Sequence, residues 1–307
     1  MTRTHTYRGI VWIDMESSDD DEISSLIKRY DLHPLVGEEL KRSSSVAKID
    51  FYKDYILAVL TLPVRVKDGD KYSIEDREVD FVIGKNFLIT SRSDTVEQLE
   101  YFSKVFEANS ILNKNEKIEH AGHLFYYMVK RIYAGMCQDL ENIKDALLTA
   151  ETRIFKGDER KMVEVLSDLN RELIDFKQTA RIHREIWDDM IESADKHLFG
   201  HDFSFYVRDI RDEFNVIHEL ILNTRELMTD LRETNDSLLN AKQNEIIKIL
   251  TIISFVFYPL SLIVAIFSLP SSTIPIIGGP YDWVIILALM VAVSAGMLWF
   301  FKRKRWF

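Results

Sequence analysis

The chain has 307 residues, 47% hydrophobic and 29% charged, with a formal net charge of −10, which gives room for about two folded domains and argues against disorder. Lys248, Asp282 and the four terminal basic residues carry +4 together, leaving −14 on residues 1–245. Such an acidic body repels phosphate backbones, so no nucleic-acid partner is expected, and it is compatible with cation binding.

Along residues 6–110, the runs "YRGIVWID", "AKIDFY", "YILAVLTLPVRV", "SIEDREVDFVIG" and "FLITSR" are β-branched or aromatic and bounded by charges or turn residues, which predicts strands. Between and after them, "DDDEISSLIKRY", "HPLVGEELKR" and "DTVEQLEYFSKVFEAN" have helical spacing. The expectation is an α+β domain over 1–115 with an antiparallel or mixed sheet. From residue 116 the pattern is helical: one long helix to about 156, a second over about 158–197, and a third that opens near Phe203 and meets no Gly or Pro until Pro259. The third carries Val207, Ile210, Phe214, Ile217, Ile221, Met228, Leu231 and Leu238 at steps of three and four or their sums, with Thr224 and Asn235 in the gaps. Such a seam predicts packing along the helix, and repeated copies around a closed axis would supply it. The predicted organisation is 116–202 long helices, 203–248 a stalk and 249–307 a membrane domain.

Ile249–Leu269 and Trp283–Phe301 are free of charge and each close to the roughly 20 residues that cross a bilayer as a helix. Lys242, Lys248 and "KRKR" at 302–305 flank the pair, whereas the connector between them has no Lys or Arg. The positive-inside rule therefore puts both termini in the cytoplasm and the protein in the cell membrane. The N-terminal stretch has no long apolar run, so no cleavable leader is expected. A single cysteine, Cys137, cannot form an internal disulfide, which fits a reducing compartment.

Steps of three and four from Asn244 reach Ile247, Thr251, Ser254, Tyr258, Ser261, Ala265 and Ser268, and every hydroxyl in the first span falls on this track. Two readings compete: a polar helix–helix interface, in which hydroxyls bond across helices or back to the i−4 carbonyl, or a water-filled path whose oxygens serve a hydrated cation. One hairpin is too small to enclose a path, so the second reading requires an oligomer.

"NEIIKILTIISFVFYPLSLIVAIF", a short connector, a second span and "FKRKRW", together with "HPLVGEEL" at 33–40 and "YVRDIRD" at 206–212, resemble the CorA family of magnesium and cobalt channels across nearly the entire chain. The resemblance implies a homopentameric funnel: an α+β cytoplasmic domain, long stalk helices and a C-terminal two-helix transmembrane hairpin whose first span lines the pore. It implies a pore entrance and gate at Asn244, Ile247 and Leu250, a lining through Thr251, Ser254, Tyr258, Ser261 and Ser268, and a regulatory Mg2+ or other divalent ion on Glu38, Glu39 and Asp209, hard oxygen ligands suited to it. No further cofactor is implied; the partners are lipid, divalent cations and other copies of the chain. Where the family carries Gly-Met-Asn, this chain has Ser268, Leu269 and Pro270, and Glu213 stands where the family has a histidine. The expectation is therefore a divalent-cation channel for Mg2+, with Co2+ or Ni2+ also passing, of relaxed selectivity. Zinc or proton-coupled transport and a non-conducting sensor or scaffold are the alternatives. An enzyme is not expected: His120 and His123 in "HAGH" sit one turn apart without a third ligand, and Cys137 lacks a Cys-x-x-Cys partner. Asp282, at the start of the second span, has two readings: a charged ring at the outer mouth, or a helix cap before Trp283.

Overall fold

The structure is a computed structural model that describes residues 2–17, 19–42, 47–69, 71–112, 118–194, 198–268 and 281–304. Strands β1 (Thr2–Tyr7) and β2 (Ile10–Glu16) precede helices α1 (Asp20–Tyr30) and α2 (Pro34–Lys41). They are followed by β3 (Lys48–Phe51), β4 (Tyr55–Asp68), β5 (Lys71–Gly84) and β6 (Phe87–Arg92). The rest is helical: α3 (Glu97–Leu112), α4 (Ala121–Phe155), α5 (Glu159–Ala180), α6 (His183–Ala194), α7 (Phe203–Phe267) and α8 (Asp282–Arg303). The strands form one six-stranded sheet in the order β1-β2-β6-β5-β4-β3, antiparallel except where β2 pairs with β6.

Both faces of this sheet are covered, which explains the unbroken apolar run "YILAVLTL": every residue from Tyr55 to Pro63 is buried. Alternation splits them. Leu57 and Val59 join Val82, Ile89, Ile13 and the α1/α2 residues Ile23, Leu26 and Val36 in one core. On β4 and β5, Ala58 pairs with Phe81 one step out of phase with the Leu57–Val82 pair. The Phe81 ring meets Phe125 of α4 edge-on at 5.1 Å.

Two local expectations are corrected. "YRGIVWID" is not one strand: Arg8 (φ 50°) and Gly9 (φ 83°) both lie in the left-handed region and close the β1–β2 hairpin. Two positive φ values fit the tight turn that matches strand twist, and glycine meets the second at little cost. Nor is there one helix over 158–197. α5 ends at Ala180 and α6 begins at His183 without Gly or Pro between, and Arg181 keeps helical angles (φ −56°, ψ −39°), so the interruption is a bend.

Buried hydrogen bonds beyond the bend compensate for it. His183 Nε2 lies 2.8 Å from the Thr61 carbonyl oxygen, and Nδ1 lies 2.9 Å from the Tyr133 hydroxyl. A carbonyl only accepts, so Nε2 carries the proton and Nδ1 accepts from Tyr133. Trp187 Nε1 in turn donates to the Tyr133 oxygen at 2.6 Å. Burial lowers the His183 pKa to about 4, against the opposing pull of the Thr61 carbonyl, so the ring is neutral near pH 7.

The chain divides into two compact units, residues 1–232 and 233–307. Within the first, the α7 seam from Val207 to Leu231 is at most 4% exposed, and Thr224 fills its gap by donating to the Leu220 carbonyl at 2.7 Å. The seam is consumed inside its own chain, which corrects the expectation that it stands ready for neighbouring copies. In the second unit, α7 runs through Pro259 to Phe267, and α8 opens with Tyr281 at the capping position instead of Asp282.

Candidate ion pathway and acidic sites

In the second unit the α7 backbone fixes the hydroxyl track, because 3.6 residues per turn brings alternating steps of three and four back to one face. α8 covers a different face. Ile252 is only 5% exposed, Val256, Leu260 and Ile263 are half-buried, and the Phe255 ring meets Phe301 of α8 edge-on at 6.2 Å. On the track, by contrast, Tyr258 is 75% exposed, and Asn244, Ile247, Ser261 and Ser268 are exposed as well. Thr251 and Ser254 are half-buried, and Leu250, beside the track, is exposed.

Three of the hydroxyl protons are committed. Thr251 Oγ1 donates to the Ile247 carbonyl at 2.7 Å, Ser261 Oγ to Phe257 at 3.0 Å and Ser268 Oγ to Val264 at 2.7 Å. Each oxygen then keeps its lone pairs for an outside donor or cation. Back-bonding of this kind also belongs to the helix-interface reading, but the own-chain partner for such an interface, α8, lies along the neighbouring face. Pro259 removes the N–H that would bond the Phe255 carbonyl, leaving another acceptor in the span. Leu269, Pro270 and the connector 271–280 lie outside the described residues.

The acidic candidates are held apart in a single chain: among the described residues, no group of three His, Cys, Asp or Glu could hold a metal ion. Glu38 on α2 is exposed. Its neighbour Glu39 pairs with Lys48 Nζ at 2.8 Å, and although burial opposes the charge, hydrogen bonding to Glu39 raises the Lys48 pKa. Asp209 on α7 accepts from the Tyr126 hydroxyl at 2.6 Å and from Lys130 Nζ at 2.9 Å. These two bonds, Tyr126 first, hold its carboxyl below the usual range. Lys130 also reaches Glu213 at 3.0 Å, and the two carboxylates raise its pKa against the cost of burial. An ammonium thus already stands against the α7 acids. The sequence reading missed Lys130, although Tyr126/Lys130 and Asp209/Glu213 are both i,i+4 pairs that can face each other across two helices.

The "HAGH" histidines serve packing. Their rings stack 4.0 Å apart, with Phe199 and Phe203 against His120 and Tyr206 against His123. Burial, then the His123 and Lys85 charges, lower the His120 pKa to about 4. Burial likewise pushes the half-buried Cys137 thiol up. Asp80 on β5, not singled out in sequence, is buried, and burial followed by the Glu78 and Glu39 charges raises its pKa to about 8.

A mixed α/β body, one very long helix with an apolar C-terminal stretch and a second apolar helix, both long enough to cross a membrane, define the class as a two-span membrane protein. The sequence matches the CorA-like Mg2+ transporter protein family over residues 7–303, and the chain belongs to that family. It is 26% identical to the putative metal ion transporter YfjQ of Bacillus subtilis over 96% of this chain and 89% of that one. To the cobalt/magnesium transport protein CorA of Thermotoga maritima it is 22% identical, over 93% of this chain and 80% of that one. The complete structure of the CorA magnesium transporter from Methanocaldococcus jannaschii superposes with a TM-score of 0.82 at 21% identity, covering 97% of this chain and 92% of that one.

Proposed function

We propose that copies of this chain form a homopentameric divalent-cation channel in the cell membrane, with α7 around the axis and α8 outside it. The observation that carries this reading is the oxygen stripe of α7, exposed at Asn244, Tyr258, Ser261 and Ser268, on which the Thr251, Ser261 and Ser268 hydroxyls donate to the helix's own backbone. Such oxygens present lone pairs without fixed charge, suited to a hydrated cation that must also leave. Asn244, Ile247 and Leu250 form the entrance and gate; Thr251, Ser254, Tyr258, Ser261 and Ser268 line the path. Large apolar side chains at Ile246, Ile247, Ile249 and Leu250, exposed in the single chain, support burial against neighbouring copies.

With Ser268, Leu269 and Pro270 in place of Gly-Met-Asn, the outer mouth offers helix-end carbonyls and serine hydroxyls but no amide ring. Mg2+ is the principal ion, with Co2+ and Ni2+ also passing. Glu38, Glu39 and Asp209 contribute to a regulatory cation site only where copies meet. The test is uptake of Mg2+, Co2+ and Ni2+ by liposomes containing purified protein, with and without a pH gradient. Uptake of all three, indifferent to the gradient, is expected. A correctly assembled oligomer that passes none of them refutes conduction, and flux that needs the gradient replaces the channel with a coupled transporter.

A further inference from the structure

The two ends of the membrane hairpin differ in charge, and two separate segments of the chain come together at the basic one. Residues 240–268 and 281–307 hold six basic side chains, Lys242, Lys248 and the run 302–305, against two acids, Glu245 and Asp282. Asp282 opens α8, at the opposite end from the cations. Within the second unit, the ring contact between Phe255 and Phe301 sets the far end of α8 beside residues 252–255 of α7, where Ile252 and Phe301 are both nearly buried. Lys248 lies one turn before Ile252, and Lys302, Arg303 and Lys304 directly follow Phe301. Because α8 returns along α7, both steps lead out of the apolar hairpin on the same side.

Trp299 marks the level. Its indole ring is exposed, and indoles settle among the headgroups at a membrane surface. The Arg303 guanidinium stands over that ring at 5.4 Å. Residues 302–304 follow Trp299 by three to five positions, about 5–8 Å along the helix axis. The headgroup layer on each side of a bilayer is also about 5–8 Å thick. Lys248, half-buried, brings a further cation to the same level from α7.

Exposed cations are common in this chain; what sets these apart is their shared level. Among the described residues, none of Lys248, Lys302, Arg303 and Lys304 is in an ion pair. Each copy therefore presents four cations, from two helices, in the plane where lipid phosphates lie. Residues 1–245, at −14, are repelled by an anionic surface, so attraction to one has to arise at this end of the hairpin.

We infer that this end of the hairpin binds the phosphate headgroups of anionic phospholipids, with Lys248 and the 302–304 run acting as one belt. Ammonium and guanidinium groups take phosphate oxygens by charge-assisted hydrogen bonds, Arg303 in pairs. Each basic residue near an anionic leaflet is worth about fivefold in affinity. The belt needs the two-span architecture alone, and a chain that fails every flux assay would still show it.

The experiment is quenching of tryptophan fluorescence by brominated lipids, with the purified full-length protein in vesicles that mix phosphatidylglycerol and phosphatidylcholine. Trp283 and Trp299 are exposed on α8 and meet the quencher, whereas Trp12 and Trp187 are fully buried in the first unit. Brominating one lipid at a time gives their relative affinity. Phosphatidylglycerol is expected to exceed phosphatidylcholine by about fivefold in low salt. The two should approach parity in about 1 M NaCl, where charges are screened beyond about 3 Å. Replacing Lys302, Arg303 and Lys304 together by glutamine should remove most of the preference, and Lys248→Gln part of it, while Lys302→Arg with Lys304→Arg should keep it. Lys28→Gln, at an exposed cation of α1, should change nothing. Unaltered quenching by brominated phosphatidylcholine alone establishes that a variant is inserted; if the triple variant is not, Lys248→Gln and the salt dependence decide. Equal affinity for the two lipids overturns the inference. So does a preference that survives both glutamine variants, which would place the attraction elsewhere, or one that Lys28→Gln weakens equally, which would reduce it to net charge.

Discussion

Lys130 decides how the acidic side chains of α7 behave. Its ammonium is shared by Asp209 at 2.9 Å and Glu213 at 3.0 Å, and the Tyr126 hydroxyl completes the Asp209 coordination. The groups are partly exposed, so solvent screening leaves the arrangement worth about 1 kcal/mol. Lys130→Met would leave two carboxylates one helical turn apart with no cation between them. The expected outcome is a lower melting temperature for purified protein, partly restored by millimolar Mg2+, and a smaller Mg2+ response in the parent. A variant that ignores Mg2+ would show that these acids do not bind hard cations. His183 gives a second prediction. Its pKa is depressed from an unfolded value of 6.5 to about 4, so below pH 6.5 the unfolded chain takes up a proton that the folded chain refuses. Stability is therefore lost as pH falls through the window from 6.5 to 4, by up to about 3 kcal/mol. His120 titrates in the same window, so His183→Gln should flatten the dependence of melting temperature on pH without abolishing it. An unchanged slope would mean that His183 is protonated in the folded protein.

At the scale of elements, the legibility of the sequence followed the range of the interactions involved. The hydroxyl track of α7 was readable because a helix converts fixed spacing into a face, and the strands β3 to β6 were readable because β-branched runs end at charged turns. The β1–β2 turn was hidden within an apolar run, since Arg8 gives little warning that it will adopt a positive φ. The bend at 181–182 has no breaker residue; its compensation comes from Thr61 and Tyr133, far away in sequence. Lys130 met Asp209 across 79 residues, which local pattern does not report. The proposed gate belongs to this scale too. Leu250 is 64% exposed in the single chain, so shortening it removes no core contact. Leu250→Ala should fold normally and raise the basal Mg2+ leak of liposomes. If a protein shown to conduct has an unchanged leak, the constriction lies elsewhere on α7.

For the whole molecule, the proposed assembly raises the question of which surface joins the copies. The α7 seam from Val207 to Leu231 is spent inside the first unit, so within α7 the proposed assembly draws on the side chains that the second unit leaves uncovered. Those are of two kinds: the apolar group at 246–250 and the oxygen stripe, set roughly 100° or more from the α8-covered face. If the stripe faces a wet axis, thiols placed on it will react with water-soluble reagents, and thiols on the covered or lipid-facing sides will not. The measurement replaces Cys137 by alanine, introduces single cysteines at Ser254, Ser261, Phe255 and Ile263, and follows modification in liposomes with and without Mg2+. Reaction at Ser254 and Ser261 is expected, fastest where Mg2+ is absent if the ion favours a closed state. Ser254, half-buried by its own chain, should react more slowly than Ser261. The reverse pattern, with Phe255 and Ile263 reactive and the serines silent under every condition, would mean that the stripe is a dry contact between helices. The family membership would then describe the architecture of a protein that moves no ions along this face.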